Sequence, residues 1–194
     1  MEKLQGNSMA SGPITSLTLL RGMGWGLLAG LAGTVAMDLA LLASLPALGV
    51  PADTCYLIIG STVRHFFALL GITLAGDVAL GVAAYHLIGP LLGALYSLVV
   101  SQVGALQRTT LKKNLIYAVL YAEMLSQLIL TMTPVLLKMP AQETIIWFAG
   151  SFVVHMIWGI VMGLVTYYGW QLRTPGYRNK QAEKSGGLLW IVRR

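Results

Sequence analysis

Four ionisable side chains stand inside long apolar stretches of this chain of 194 residues: Asp38, His86, Glu123 and His155. Such groups are expensive in hydrocarbon, so within a membrane they are by default candidates for function. Counting about 1.5 Å per residue from the ends of the stretches places all four at similar depth, at and just outside the midplane. If they converge, they could hold a cofactor, a metal ion or a mobile proton.

Three chemistries fit such a convergence. His86 and His155 each lie near glycines that leave room for a flat macrocycle, which makes them candidates for haem ligation. The two histidines with Asp38 and Glu123 could instead hold a divalent metal such as zinc, manganese or iron. In a water-filled seam the same groups could relay protons or bind a transported cation, a path that broken helices would support. Three prolines are candidates for such breaks: Pro46, Pro90 and Pro134.

The alternative for each of these residues is structural. An intramembrane histidine often only bonds a neighbouring helix, and a buried carboxyl group can be protonated and bonded to a nearby Ser or Tyr. The sequence contains no Gly-rich phosphate loop, no G-x-S-x-G elbow and no H-E-x-x-H pair. The single cysteine, Cys55, excludes a disulfide within the chain. A soluble type of enzyme is therefore not predicted.

The composition of the chain indicates that the helices that position these groups lie in a lipid bilayer. Of all residues 56% are hydrophobic and 10% are charged, against about 25% charged in an ordinary soluble domain. Several apolar stretches are as long as a helix that crosses a bilayer of about 30 Å. The predicted fold is all-α, a polytopic membrane bundle over residues 1–172 with a basic tail over 173–194. The predicted spans are about 24–48, 78–104, 114–136 and 144–172.

A further apolar stretch, about 54–75, is predicted to be an interfacial or re-entrant helix, because Arg64 and His65 at its centre would be costly in lipid. With four crossings, Arg21, the loop around Lys112 and the basic tail share one side. By the positive-inside rule this side is the cytoplasm. We therefore predict an inner (plasma) membrane protein with both termini cytoplasmic. The net charge of +6 then reflects topology, and no nucleic-acid partner is predicted.

Small residues spaced four apart predict close helix packing, since they form stripes that let two backbones approach. These stripes continue into Asp38 on the first span and begin near the histidines on the second and fourth. The predicted packing residues are Gly26, Gly30, Thr34, Gly89, Gly93, Gly159 and Gly163.

Two of these stretches also carry a resemblance. Residues 30–38 read G-L-A-G-T-V-A-M-D, and residues 86–96 contain His86, Gly89, Gly93 and Tyr96. In both respects the chain resembles small uncharacterised prokaryotic multi-pass membrane proteins with a Gly-Thr-x-x-Met first helix, over about a fifth of its length. The resemblance implies a prokaryotic membrane protein and implies no activity.

Two functional hypotheses follow from the residues. The first is a small integral accessory or binding subunit that packs against larger membrane partners or its own copies. Such a subunit would hold a haem, metal or pigment through His86 and His155. The second is a small proton-coupled transporter or channel that uses Asp38, Glu123 and the two histidines. A membrane-embedded enzyme ranks third.

Overall fold

The computed structural model describes residues 16–103, 106 and 110–173, and among these residues the chain is helical apart from short connections. The predicted basic tail lies outside the described residues beyond residue 173. We number the helices α1 to α6: Ser16–Ala47, Thr54–Leu69, Asp77–Gln102, Leu111–Leu130, Met132–Leu137 and Ala141–Arg173. Four segments are long and apolar enough to cross a membrane: Gly22–Ala47, Asp77–Gln102, Leu111–Leu137 and Ala141–Gly169. The prediction of an all-α bundle with four spans is confirmed.

The helix α1 packs closely and antiparallel on α3 through glycines. A Cβ atom added at Gly26 would lie 2.5 Å from the carbonyl oxygen of Gly93, and one added at Gly30 would collide with that of Gly89. Thr34, one turn further along α1, comes against Gly89 and donates its hydroxyl to the Gly30 carbonyl oxygen at 2.9 Å. The numbering rises along α1 as it falls along α3, so the two helices run in opposite directions.

The helix α6 packs antiparallel on α1 and on α4. Gly33 of α1 leaves room for the Trp158 ring, whose indole N–H donates to the Gly30 carbonyl oxygen at 3.1 Å. On another face of α6, a Cβ atom at Gly159 would meet Ala122 of α4 at 3.0 Å, and one at Gly163 would meet Ala118 at 2.9 Å. In a bilayer, where apolar burial drives helix association only weakly, such close contact supplies much of the stabilisation.

The helix α2 does not cross the bundle. Because α1 and α3 are antiparallel, the connection between them must begin and end on the same side, which leaves four crossings. We call this side the α2 end. The apolar stretch predicted a helix to about residue 75, whereas α2 ends at Leu69. Gly71 adopts a left-handed φ of 76°, and Ile72 donates to the carbonyl oxygen of Phe67 at 3.0 Å, which completes a glycine C-cap.

The three prolines differ in effect. Pro90 lies within the continuous helix α3. Pro46 lies in the last turn of α1, which ends one residue later at Ala47 and is followed by a glycine C-cap at Gly49. Only near Pro134 is a span divided, where α4 stops at Leu130 and α5 begins at Met132. A break within a span therefore occurs, among the described residues, close to the α2 end alone.

Candidate functional site

A three-residue polar cluster joins α1, α2 and α3 near the α2 end. Nε2 of His86 lies 3.0 Å from Oδ2 of Asp38, and the Tyr56 hydroxyl donates to Oδ1 of the same carboxyl group at 2.6 Å. The contact exists because glycines remove the bulk between the helices: Gly60 packs on the Asp77 backbone, and Gly81 packs on the Tyr56 backbone. Asp38 ends the small-residue stripe of α1 and faces these two partners.

At least one proton is held between Asp38 and His86. Nδ1 of His86 lies 3.0 Å from the carbonyl oxygen of Val82, and because a carbonyl oxygen only accepts, Nδ1 carries a hydrogen. A hydrogen bond from Nε2 to Oδ2 then needs a further proton, either on the ring of an imidazolium or on the carboxyl group. The pair can thus store a proton in either form, and Tyr56 extends the hydrogen-bonded chain to α2.

Neighbouring groups stay protonated. Burial, and to a smaller degree the Asp38 carboxylate, raises the pKa of the Cys55 thiol to about 11. Burial and the hydrogen bond to Asp38 also raise the pKa of Tyr56 above its usual value. The Tyr85 ring lies 5.6 Å from the Tyr56 ring and 5.5 Å from the His86 ring. At neutral pH Cys55 is therefore not a thiolate nucleophile.

The helix α2 is held over the bundle by polar contacts at both of its sides. Nε of Arg64 lies 3.2 Å from Oδ1 of Asp77 at the start of α3, and Ser61 donates to the other oxygen of this carboxyl group at 3.2 Å. Toward α5, the Thr62 hydroxyl donates to that of Thr133 at 3.2 Å. The arginine that argued against a crossing is thus paired at a helix end, not stranded among apolar side chains.

Beside the cluster, the helices line a partly open cavity of about 270 Å³. Its inner limit is a hydrogen bond between α4 and α3, in which the Tyr121 hydroxyl donates to the carbonyl oxygen of Leu92 at 2.8 Å. Helix α2 covers it from the other direction. Apolar side chains form most of the wall: Met37, Ile59, Phe66, Leu92, Leu130 and Trp158. The close helix packing seen in the rest of the bundle therefore does not extend to this cavity.

Few polar residues line the cavity, and Tyr85 and Trp147 are two of them. The Tyr85 hydroxyl is buried beside the Asp38 carboxyl group, and the indole nitrogen of Trp147 is buried without a hydrogen-bond partner among the described residues. His155 also lines the cavity, and its Nδ1 lies 2.7 Å from the carbonyl oxygen of Ser151, which leaves Nε2 as its free ring nitrogen. The wall of the cavity is therefore mostly apolar.

The four predicted site residues are distributed over separate contacts. Asp38 and His86 form the pair, whereas His155 lies on the cavity wall and bonds Ser151. Glu123 is buried on α4, where Gln127 donates to its Oε2 at 3.2 Å. In the part of the chain that the structure describes, no three His, Cys, Asp or Glu side chains are grouped so that they could hold a metal ion. Since both ring nitrogens of His86 are engaged, a haem held by His86 and His155 would require the Asp38 pair to open.

Three residues of the site were missed by the sequence reasoning: Tyr56, Tyr85 and Trp147. Tyrosine and tryptophan are common near membrane interfaces, so residue type alone does not distinguish them from anchoring aromatics. The neighbourhood of Tyr85 to His86 in sequence was the one available signal for Tyr85. Comparison of the chain with protein-family models, with curated proteins and with solved structures gave no match.

Proposed function

We propose that this integral membrane protein binds a small, largely apolar molecule in the cavity between α2 and the Tyr121–Leu92 hydrogen bond. The observation that carries the proposal is the cavity itself, about 270 Å³ within an otherwise closely packed helix bundle. Empty apolar space forfeits the dispersion contacts of its walls. A bound apolar molecule restores those contacts, so occupation is favourable.

The size of the cavity limits the ligand. Sites for small molecules measure about 300–1,000 Å³, so this cavity of about 270 Å³ lies just below that range. It suits a ligand of two or three fused rings better than a macrocycle such as haem. The binding role predicted from the sequence is kept in this form, with His155 on the wall of the site.

The accessory role and the orientation are supported less directly. The predicted glycine stripes are occupied by helices of the same chain, as Gly30 and Gly159 illustrate. Support for a separate membrane subunit must therefore come from other surfaces. Cytoplasmic termini are supported by Lys112 and Lys113, which are exposed at the end of the bundle opposite α2. The prokaryotic plasma membrane is proposed from the resemblance alone.

The experiment measures binding of 1-aminoanthracene, a flat apolar fluorophore, to the protein in lipid nanodiscs. Val154 and Val153 are adjacent on α6, but Val154 lines the cavity whereas Val153 is exposed on the outer surface. We expect saturable binding of one probe per chain that is lost in Val154→Trp and kept in Val153→Trp. Equal binding by both variants would show partition into lipid only and would overturn the proposal.

A second candidate function, proton-coupled transport, is favoured by the Tyr56–Asp38–His86 cluster, because a proton shared by two groups inside a span is a feature of proton pathways. A proton flux through proteoliposomes that disappears in Asp38→Asn protein would support this function. Flux that persists in this variant would count against it.

A further inference from the structure

The residues that line the cavity differ in how far they are exposed on the surface of the bundle. On α1 and α6 the wall residues Met37 and Trp158 are only 4% and 2% exposed. Four other wall residues are 37–41% exposed, and we call them the rim: Phe66 of α2, Ile88 of α3, Ile129 of α4 and Met132 of α5. The helices α1 and α6 therefore form the back of the cavity, and the rim surrounds an opening in the side of the bundle.

The opening lies between two helices that large side chains hold apart. Glycines bring α1 against α3, and bring α6 against both α1 and α4. Between α3 and α4 the hydrogen bonds come from tyrosines instead. Tyr96 donates to Oδ1 of Asn114 at 3.3 Å, and Tyr121 donates to the carbonyl oxygen of Leu92 at 2.8 Å. The Tyr121 hydrogen bond is the nearer of the two to the α2 end, and the rim begins one turn beyond it.

The opening lies at the depth of the lipid hydrocarbon. At about 1.5 Å per residue, Ile88 is about 17 Å from the start of α3, and Ile129 is about 12 Å from the end of the third span. Both distances fall within a hydrocarbon layer of about 30 Å. The adjacent residues Leu87 and Leu128 are 62% and 70% exposed and lie outside the cavity wall. The rim is therefore continuous with the apolar surface that the spans present to lipid.

The charge of the wall and of the rim matches an uncharged hydrocarbon chain. Among the described residues that line the cavity there is no Asp, Glu, Lys or Arg, and all four rim side chains are apolar. A charged molecule from water would lose its hydration before it reached this opening. A lipid chain is already in hydrocarbon, so it has no hydration to lose. It gains the dispersion contacts that the walls of an empty cavity lack.

We infer that the ligand of the cavity is a membrane lipid, one hydrocarbon chain of which enters from the bilayer through the rim between α3 and α4. The inference rests on the proposed function, since it names the molecule class and its route for the same cavity. Because the cavity lies toward the α2 end, the lipid comes from the leaflet at that end. Its chain occupies the space of about 270 Å³, while its head group stays at the membrane surface.

A lipid that can be activated by light tests this inference. Phosphatidylcholine with a diazirine ring midway along one acyl chain is added in trace amount to vesicles of dioleoyl phosphatidylcholine that contain the protein. Irradiation releases N₂ and leaves a carbene, which inserts into neighbouring bonds, and mass spectrometry of peptides locates the adducts. We expect interior adducts at Met37 and Trp158, which are too buried for lipid outside the bundle to touch. Val153, exposed on the outer surface, should give an outer adduct as the reference.

Two double variants test the route of entry. Ile88→Trp with Ile129→Trp narrows the rim, whereas Leu87→Trp with Leu128→Trp adds the same bulk at the adjacent positions outside the cavity wall. We expect the interior adducts to be lost in the rim variant and kept in the control variant, with the outer adduct present in both. An excess of 1-aminoanthracene should suppress the interior adducts of the unmodified protein, since both molecules occupy one cavity.

The outcomes separate the two proposals. If 1-aminoanthracene binds in the cavity but adducts form only on the outer surface, the cavity function stands and the lipid chain is overturned. If neither binding nor interior adducts occur, both proposals are overturned. Interior adducts that persist in the rim variant would overturn entry between α3 and α4. Interior adducts of the unmodified protein that 1-aminoanthracene does not displace would overturn occupation of this cavity by the chain, even if the rim variant fails to fold.

Discussion

At Asp38, one carboxyl group fixes the positions of side chains from two other helices. Tyr56 donates to one oxygen at 2.6 Å, and His86 lies 3.0 Å from the other. Only 14% of the Asp38 side chain is exposed, so its charge has little water to stabilise it. In such surroundings a carboxyl group is retained at a cost, and the two partners offset that cost while leaving a proton shared.

The residue-scale prediction concerns this proton. Asp38→Asn keeps the shape of the side chain but removes its capacity to exchange a proton, so any proton flux in proteoliposomes should fall by at least tenfold. Asp53→Asn is the matched control, since Asp53 is exposed before α2 and its side chain makes no capping hydrogen bond. Flux is measured with an entrapped pH-sensitive dye. Equal flux in both variants would leave Asp38 with a structural role.

Part of this site could be predicted from residue type alone. Asp38 and His86 stood out because ionisable groups are rare in apolar stretches, and the structure brings these two together. Their meeting with Tyr56 could not be predicted, because it depends on how closely α2 approaches α3 at Gly60 and Gly81. No local sequence pattern predicts that approach, because it depends on the path of the loop between α2 and α3.

At the scale of elements, glycines decide which helices touch. The spacing of four predicted the stripes but not their partners, because a stripe of small residues suits any helix face. A Cβ atom at Gly30 would collide with the carbonyl oxygen of Gly89 and lie 2.8 Å from Cα of Pro90. Backbone atoms cannot turn aside as a flexible side chain can, so α1 and α3 would have to separate.

Gly30→Ala is therefore expected to destabilise the fold. Overpacking costs about 1–3 kcal/mol, and contact with rigid backbone atoms places the cost at the upper end, about 2–3 kcal/mol. The better helix propensity of alanine offsets about 1 kcal/mol, so the net loss is about 1–2 kcal/mol. Gly24→Ala is the control on the same helix, because a Cβ atom there meets nothing within 4 Å. Thermal unfolding in detergent, followed by intrinsic fluorescence, should show a lower midpoint for Gly30→Ala alone. A midpoint equal to that of the unmodified protein would contradict the close contact.

The boundaries of elements show what an apolar stretch can and cannot specify. It predicted four spans because the length of hydrocarbon to be crossed is fixed, about 30 Å. It predicted a helix to about residue 75 where α2 stops at Leu69, because Ile72 and Leu74 remain apolar after the backbone has turned. The left-handed φ at Gly71 ends the helix, so the glycine was the better guide to this boundary.

At the scale of the whole molecule, topology follows from the direction of helices. Since α1 and α3 run antiparallel, α2 enters and leaves on one side, and the residues before and after it must face the same solution. The basic residues at the start of α4 are at the opposite end. This arrangement satisfies the positive-inside rule when the α2 end faces away from the cytoplasm.

Cysteine labelling tests the topology directly. In a Cys55→Ala background, Asp53→Cys and Thr73→Cys place single thiols at exposed positions before and after α2, and Lys112→Cys places one at the start of α4. A membrane-impermeant maleimide added to intact bacterial cells should label positions 53 and 73, and should label position 112 only after the membrane is permeabilised. Labelling of position 53 and position 73 from opposite sides would mean that α2 crosses. The shared proton of Asp38 and His86 would then no longer lie near an outer surface, and the cavity beside it would lose its cover.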